Sequence, residues 1–199
     1  MRLILTFIVM LLLSGCVSTP GYINTRVSEF DGSTEYIMTP AWVCKENIFD
    51  GCSIKLGLHR TSKMPPDQLI LVVQVDGIRN ILGKDSLKFN IDGTIVAFTA
   101  IDFNTEIKTN PGIYQPGFAT RKTYVPGYYI PPSDWSSIRY IIDKEFLKTI
   151  LNANRVAVRV ELPTSYLEGV FSKDGATLAR PAFKEFYDQA YGEPNSVIE

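Results

Sequence analysis

Ser86-Leu87-Lys88-Phe89-Asn90-Ile91-Asp92-Gly93-Thr94-Ile95-Val96-Ala97-Phe98 is the stretch that decides the architecture of this chain. Leu87, Phe89 and Ile91 alternate with Ser86, Lys88 and Asn90, the period-two pattern of a strand with one buried and one wet face. Asp92-Gly93 supplies two residues that tolerate positive φ, as the tightest turns between antiparallel strands require. Thr94 to Ile101 returns as the second strand, so a hairpin is predicted here.

The same period extends in both directions. Ile54, Leu56 and Leu58 share one face, with His59 on the polar side, where it faces solvent. Leu69-Ile70-Leu71-Val72-Val73 is mostly apolar and fits a strand buried on both faces. Ile138 to Ile142 is another short strand; Val156, Val158 and Val160 alternate with Arg155, Ala157, Arg159 and Glu161, and Tyr166 to Phe171 closes the series. Two helices interrupt the pattern. Asp143 is a good N-cap for a helix that places Phe146, Leu147, Ile150 and Leu151 on one side and ends at Asn152-Ala153-Asn154. A second helix starts at Pro181, aligns Phe183, Phe186, Tyr187 and Ala190, and stops at Gly192 and Pro194. Without regular alternation of strand and helix, the order predicts a mainly β fold with two helices. We expect an antiparallel β-sandwich or half-barrel, with the C-terminal helix packed on the sheet.

The N-terminus reads differently. Met1-Arg2 is followed by an apolar run from Leu3 to Leu13 and then by small residues, the three parts of a secretory signal. The run is too short to span a bilayer, which takes roughly 20 apolar residues. Leu13-Ser14-Gly15-Cys16 at its end resembles the lipobox of bacterial lipoproteins, a likeness confined to residues 1 to 18. That resemblance implies that residues 1–15 are a signal peptide, that Cys16 receives a diacylglyceryl thioether, and that the new amino group is acylated, for example with palmitate. A domain anchored by two or more acyl chains is held stably. By analogy with enterobacterial sorting, Val17 and Ser18 lack the aspartate that retains lipoproteins in the inner membrane. The expected location is therefore the outer membrane, lipid-anchored and facing the periplasm. No specific family is recognised for residues 35–199.

Removing fifteen residues of 199 leaves a length that suits one domain. Residues 16–34 are small and polar and read as a lipid-anchored tether, with a single β-rich globular domain over 35–199. Charge is nearly balanced, with 20 Lys plus Arg against 21 Asp plus Glu, so there is no basic footprint for nucleic acid. Cys44 and Cys52 enclose a short loop and should pair in an oxidising periplasm. A metal or redox role fits them poorly, because His59 is the lone histidine and their spacing is not the two-residue one. No cofactor and no metal are expected.

The unusual segment is 110–135, where Pro111-Gly112, Pro116-Gly117 and Pro126-Gly127 each precede an apolar or aromatic residue and each preset a type II turn. Loops longer than about 12–15 residues are uncommon in compact domains. Two readings stand. Its aromatics pin the loop to a sheet face, or Tyr114, Phe118, Tyr124, Tyr128, Tyr129 and Trp135 form a ledge for a sugar ring or a partner's side chain, with Arg121 and Lys122 as nearby donors. Catalytic patterns are weak: there is no nucleophile elbow, phosphate loop or dinucleotide fingerprint, and nothing selects Asp102 with Glu106 over other acids. The expectation is a binding or structural lipoprotein of the envelope, acting on an envelope protein or polysaccharide. The alternatives are an accessory subunit of an envelope assembly machine and a carboxylate-based hydrolase, for which two acids close together in a cleft would be the sign.

Overall fold

Asp92 and Gly93 take φ values of 48° and 97°, so the turn between β5 (Leu87–Ile91) and β6 (Thr94–Phe98) has the positive φ at both positions that matches the twist of the strands it joins. The second strand ends three residues earlier than the apolar pattern suggests, at Phe98. The turn is also tied sideways. The Asp92 carboxylate accepts from the backbone N–H groups of Asn154 (3.1 Å) and Arg155 (2.8 Å), which sets β13 (Val156–Glu161) beside β5. With β14 (Tyr166–Val170) this gives a four-stranded antiparallel sheet, order β14-β13-β5-β6. In this computed structural model the described residues are 21–45, 51–102, 104–115, 118–119, 124–125, 128–130, 132–171 and 179–192.

The larger sheet has six strands in the order β1-β2-β3-β4-β12-β7, every neighbouring pair antiparallel. They are β1 (Ile23–Val27), β2 (Thr34–Val43), β3 (Ile54–Thr61), β4 (Gln68–Asp76), β12 (Ser133–Asp143) and β7 (Glu106–Asn110). β1 corrects the expectation of a tether up to residue 34: the sheet begins at Ile23, paired with Met38. β1 is an edge strand whose last three residues are exposed, so it is held by its backbone ladder and shows no apolar alternation to be read. β4 is likewise corrected. Leu69, Leu71, Val73 and Val75 are fully buried, while Ile70, Val72 and Gln74 are only half-buried on the opposite face.

The six-stranded sheet curls into a half-barrel, and the four-stranded sheet packs beside it. The buried faces meet in one core of Leu56, Leu58, Leu71 and Val73 from the first with Leu87, Phe89, Val158 and Val160 from the second. Val170 donates its N–H to the Cys44 carbonyl (2.7 Å), linking the two sheets next to the Cys44–Cys52 disulfide. That bridge encloses a short loop and stabilises by roughly 2–3 kcal/mol in the chain-entropy picture.

The helices close the remaining side. α1 (Lys144–Asn152) follows β12 directly: the Asp143 carboxylate caps it by accepting from Phe146 N–H (2.5 Å), and Phe146, Leu147 and Ile150 are buried. α2 (Ala179–Tyr191) starts two residues before Pro181 and lies on β2 and β3, burying Phe183 and Phe186. The expected docking of the C-terminal helix on the sheet is therefore present. Arg180, 8% exposed, donates to the carbonyls of Phe171, Leu151 and Ala153, two of them at the end of α1 that helical geometry leaves unpaired.

Candidate binding surface

The described parts of segment 110–135 are short paired strands rather than a loop lying across a sheet, while Pro116-Gly117 and Pro126-Gly127 lie outside the described residues. β8 (Ile113–Gln115) pairs with β11 (Tyr128–Ile130), and β9 (Phe118–Ala119) pairs with β10 (Tyr124–Val125), all antiparallel. The register is the same throughout: Glu106 faces Ser137, Asn110 faces Ser133, Ile113 faces Ile130, Gln115 faces Tyr128 and Ala119 faces Tyr124, so each step along one strand is one step back along the other. The three ladders, β7 with β12, β8 with β11 and β9 with β10, thus share one register, and together they are called the arm. On the β7 side it grows from the edge of the six-stranded sheet, and its base runs past the last residue of β4 that β12 pairs, Asp76 opposite Trp135.

Pro111-Gly112 does not make the expected type II turn, because Gly112 is not among the residues with positive φ. The glycine serves a different need. A Cβ on Gly112 would sit 1.9 Å from the Tyr129 hydroxyl oxygen, so the Tyr129 ring lies across the space a side chain would fill. An aromatic ring covering a cross-strand glycine is a recognised way of keeping a ribbon in register. Tyr129 remains 60% exposed while doing this.

Trp135 moves from the proposed ledge to the body. It belongs to β12 and is 9% exposed, with its ring edge-on to Trp42 at 5.3 Å between centroids. Lys55 from β3 reaches between them, its Nζ 3.7 Å from the Trp135 centroid and 4.3 Å from that of Trp42. Burial against the rings pushes the Lys55 ammonium below its ordinary pKa, with Asp76 opposing the shift. Trp42 was missed in sequence, although it stands out of phase with buried Ala41 and Val43, which put it on the outer face. The side chains of Tyr114, Phe118, Tyr124 and Tyr128, together with Arg121 and Lys122, lie outside the described residues, as does Cys16.

The titratable groups considered for catalysis are distributed among other partners. Asp102 takes the Arg139 guanidinium at 2.7 Å, while Glu106 has Lys108 at 3.8 Å, so each acid faces a cation of its own. His59 is half-buried rather than freely solvated, with Nε2 2.8 Å from the Glu35 carboxylate. Among the described residues no group of three or more His, Cys, Asp or Glu is placed to hold a metal ion. An open cleft of about 660 Å³ lies between α1 and α2, lined by Leu151, Pro181 and Tyr187 together with Lys148 and Lys184. Lys184 is engaged by Asp188 at 2.6 Å. Comparison with family models, curated proteins and solved structures finds no match to this chain.

Proposed function

We propose that this chain is a lipid-anchored protein of the bacterial envelope, held at the periplasmic face of the outer membrane through Cys16. Its role on this reading is binding or structural, and the arm is the element that meets an envelope component. The observation that carries the reading is the arm itself. A two-stranded ribbon growing from a sheet edge, with Tyr129 exposed at a position fixed by Gly112, offers an aromatic ring to a partner at little ordering cost. The scattered ion pairs of Asp102, Glu106 and His59 support a binding role over a hydrolytic one.

Two measurements on the full chain test this. Cys16→Ser should abolish metabolic labelling by an alkyne fatty acid and release the protein from the membrane fraction or strand its precursor there; unchanged labelling and fractionation would remove the anchor. A photo-crosslinking residue replacing Tyr129 should trap envelope material that the same residue replacing Lys63 does not. Equal yields at the two positions would remove the arm from the account.

A further inference from the structure

The six-stranded and four-stranded sheets end on the strands β1, β7, β6 and β14, and three of these edges carry charge: Arg26 in β1, Glu106 and Lys108 in β7, and Glu168 in β14. β6, Thr94-Ile95-Val96-Ala97-Phe98, carries none. Natural sheets blunt an open edge with a charge, a proline, a bulge or a covering element. β6 has no proline, and its register with β5 runs without a bulge. Thr94, Ile95 and Ala97 are exposed, Ile95 at 67%.

The turn fixes which backbone groups this edge presents. Asp92 donates its N–H to the Arg155 carbonyl (2.9 Å), on the β13 side. Backbone groups alternate sides along a strand, so Asn90 and Lys88 also bond toward β13, while Ile91, Phe89 and Leu87 bond to Thr94, Val96 and Phe98. Ile95 and Ala97 therefore turn their N–H and C=O groups away from β5, and no described residue bonds to them. Their side chains stand with those of Asn90 and Lys88 on the face opposite Phe89.

Two copies of this edge fit one another. Antiparallel pairing about a two-fold axis at Val96 sets Ile95 opposite Ala97 of the second copy, with backbone hydrogen bonds exchanged at each such pair. No charged side chain then faces another across the seam. The same pairing about the middle of β7 or β14 would set Lys108 against Lys108 or Glu168 against Glu168, which like-charge repulsion opposes. The whole chain is close to neutral, 20 basic against 21 acidic residues, so two copies are not kept apart at long range. At the far edge of the same sheet the Val170 N–H is taken by the Cys44 carbonyl (2.7 Å) and Glu168 by Arg159.

We propose that β6 is the seam of a homodimer, in which two copies of this chain pair antiparallel through Ile95 and Ala97 and join their four-stranded sheets into one. An isologous contact uses up the edge that makes it, so assembly stops at two copies.

The test uses the full chain in mild detergent at tens of micromolar, where native mass spectrometry should show a dimer. A photo-crosslinking residue replacing Ile95 should join two copies within residues 94–98. Ile95→Lys combined with Ala97→Lys sets ammonium groups opposite one another at both pairs and should weaken association at least about tenfold. Ile95→Lys combined with Ala97→Glu sets opposite charges at the same places and should return association to within about threefold of the parent. The changed side chains are exposed, and Lys88, which stands opposite Ala97 within the chain, is held by Glu161 (2.7 Å), so both double variants should keep the parent's denaturation midpoint closely. If either unfolds, Ala97→Pro takes its place: it removes an outward N–H, leaves the β5 ladder intact and should weaken association likewise. A chain that stays monomeric, crosslinks from position 95 that reach only other proteins, or a dimer as strong in the double-lysine variant as in the parent overturns the proposal.

Discussion

Arg180 shows how one buried charge organises the closing side of the domain. Its guanidinium forks between Phe171 at the end of the second sheet and the last carbonyls of α1, so three elements meet on one planar group. Arg180→Met should cost about 2–4 kcal/mol in urea unfolding, because the carbonyls lose their donor where water has little access. Arg180→Lys should recover less than half of that, since a single ammonium cannot reproduce the fork. Tyr140 gives a second test. Its fully buried hydroxyl pairs with Ser86 (2.7 Å), and burial pushes its pKa up to about 12 while the Ser86 contact works weakly the other way. The folded state therefore holds this proton where the unfolded chain, titrating near 10, has lost it. Stability contributed by the neutral phenol is complete below pH 10 and is lost as pH rises toward 12, by roughly 2–3 kcal/mol. In Tyr140→Phe, denaturant midpoints measured across pH 9 to 12 should fall less steeply than in the parent; parallel curves would refute the assignment.

At the scale of elements, what decides whether a segment could be read from sequence is whether side chains or backbone hold it. β5, β13 and α1 were legible because each buries every second or every third to fourth residue, and Asp143 and Asp92-Gly93 mark their limits in chemistry as well as in pattern. β1 and the arm are held by backbone ladders with little burial on the described positions, so their sequences carry propensity and no period. Pro111-Gly112 misled for a related reason: the spacing reads as a turn, while Gly112 is needed as the bare backbone beneath Tyr129. The candidate site was legible in composition and not in geometry. Tyr129 stayed on its exposed face, whereas Trp135 went to the body with Trp42 and Lys55. The division has a measurable counterpart. Trp135→Ala should lower stability by about 3–5 kcal/mol, as expected for a lost buried aromatic, while Tyr129→Ala should stay within about 0.5 kcal/mol. Chemical denaturation followed by far-UV circular dichroism checks both, and a large loss at Tyr129 would mean that the arm is part of the cooperative body.

For the whole molecule, the order in which the core closes matters. The two sheets are complete in sequence by Val170, yet β2 and β3 keep part of their buried face uncovered until Phe183 and Phe186 of α2 arrive. A chain ending at Phe171 should consequently lose its cooperative unfolding transition and bind a dye such as ANS; a sharp transition in that truncated chain would show that α2 is dispensable. A polypeptide made amino end first delivers α2 after both sheets. Its sheets can be paired while the apolar floor under the missing helix is still bare. Over that interval the half-built protein offers chaperones and proteases an apolar face, and the docking of its last helix is the step that takes it out of their reach.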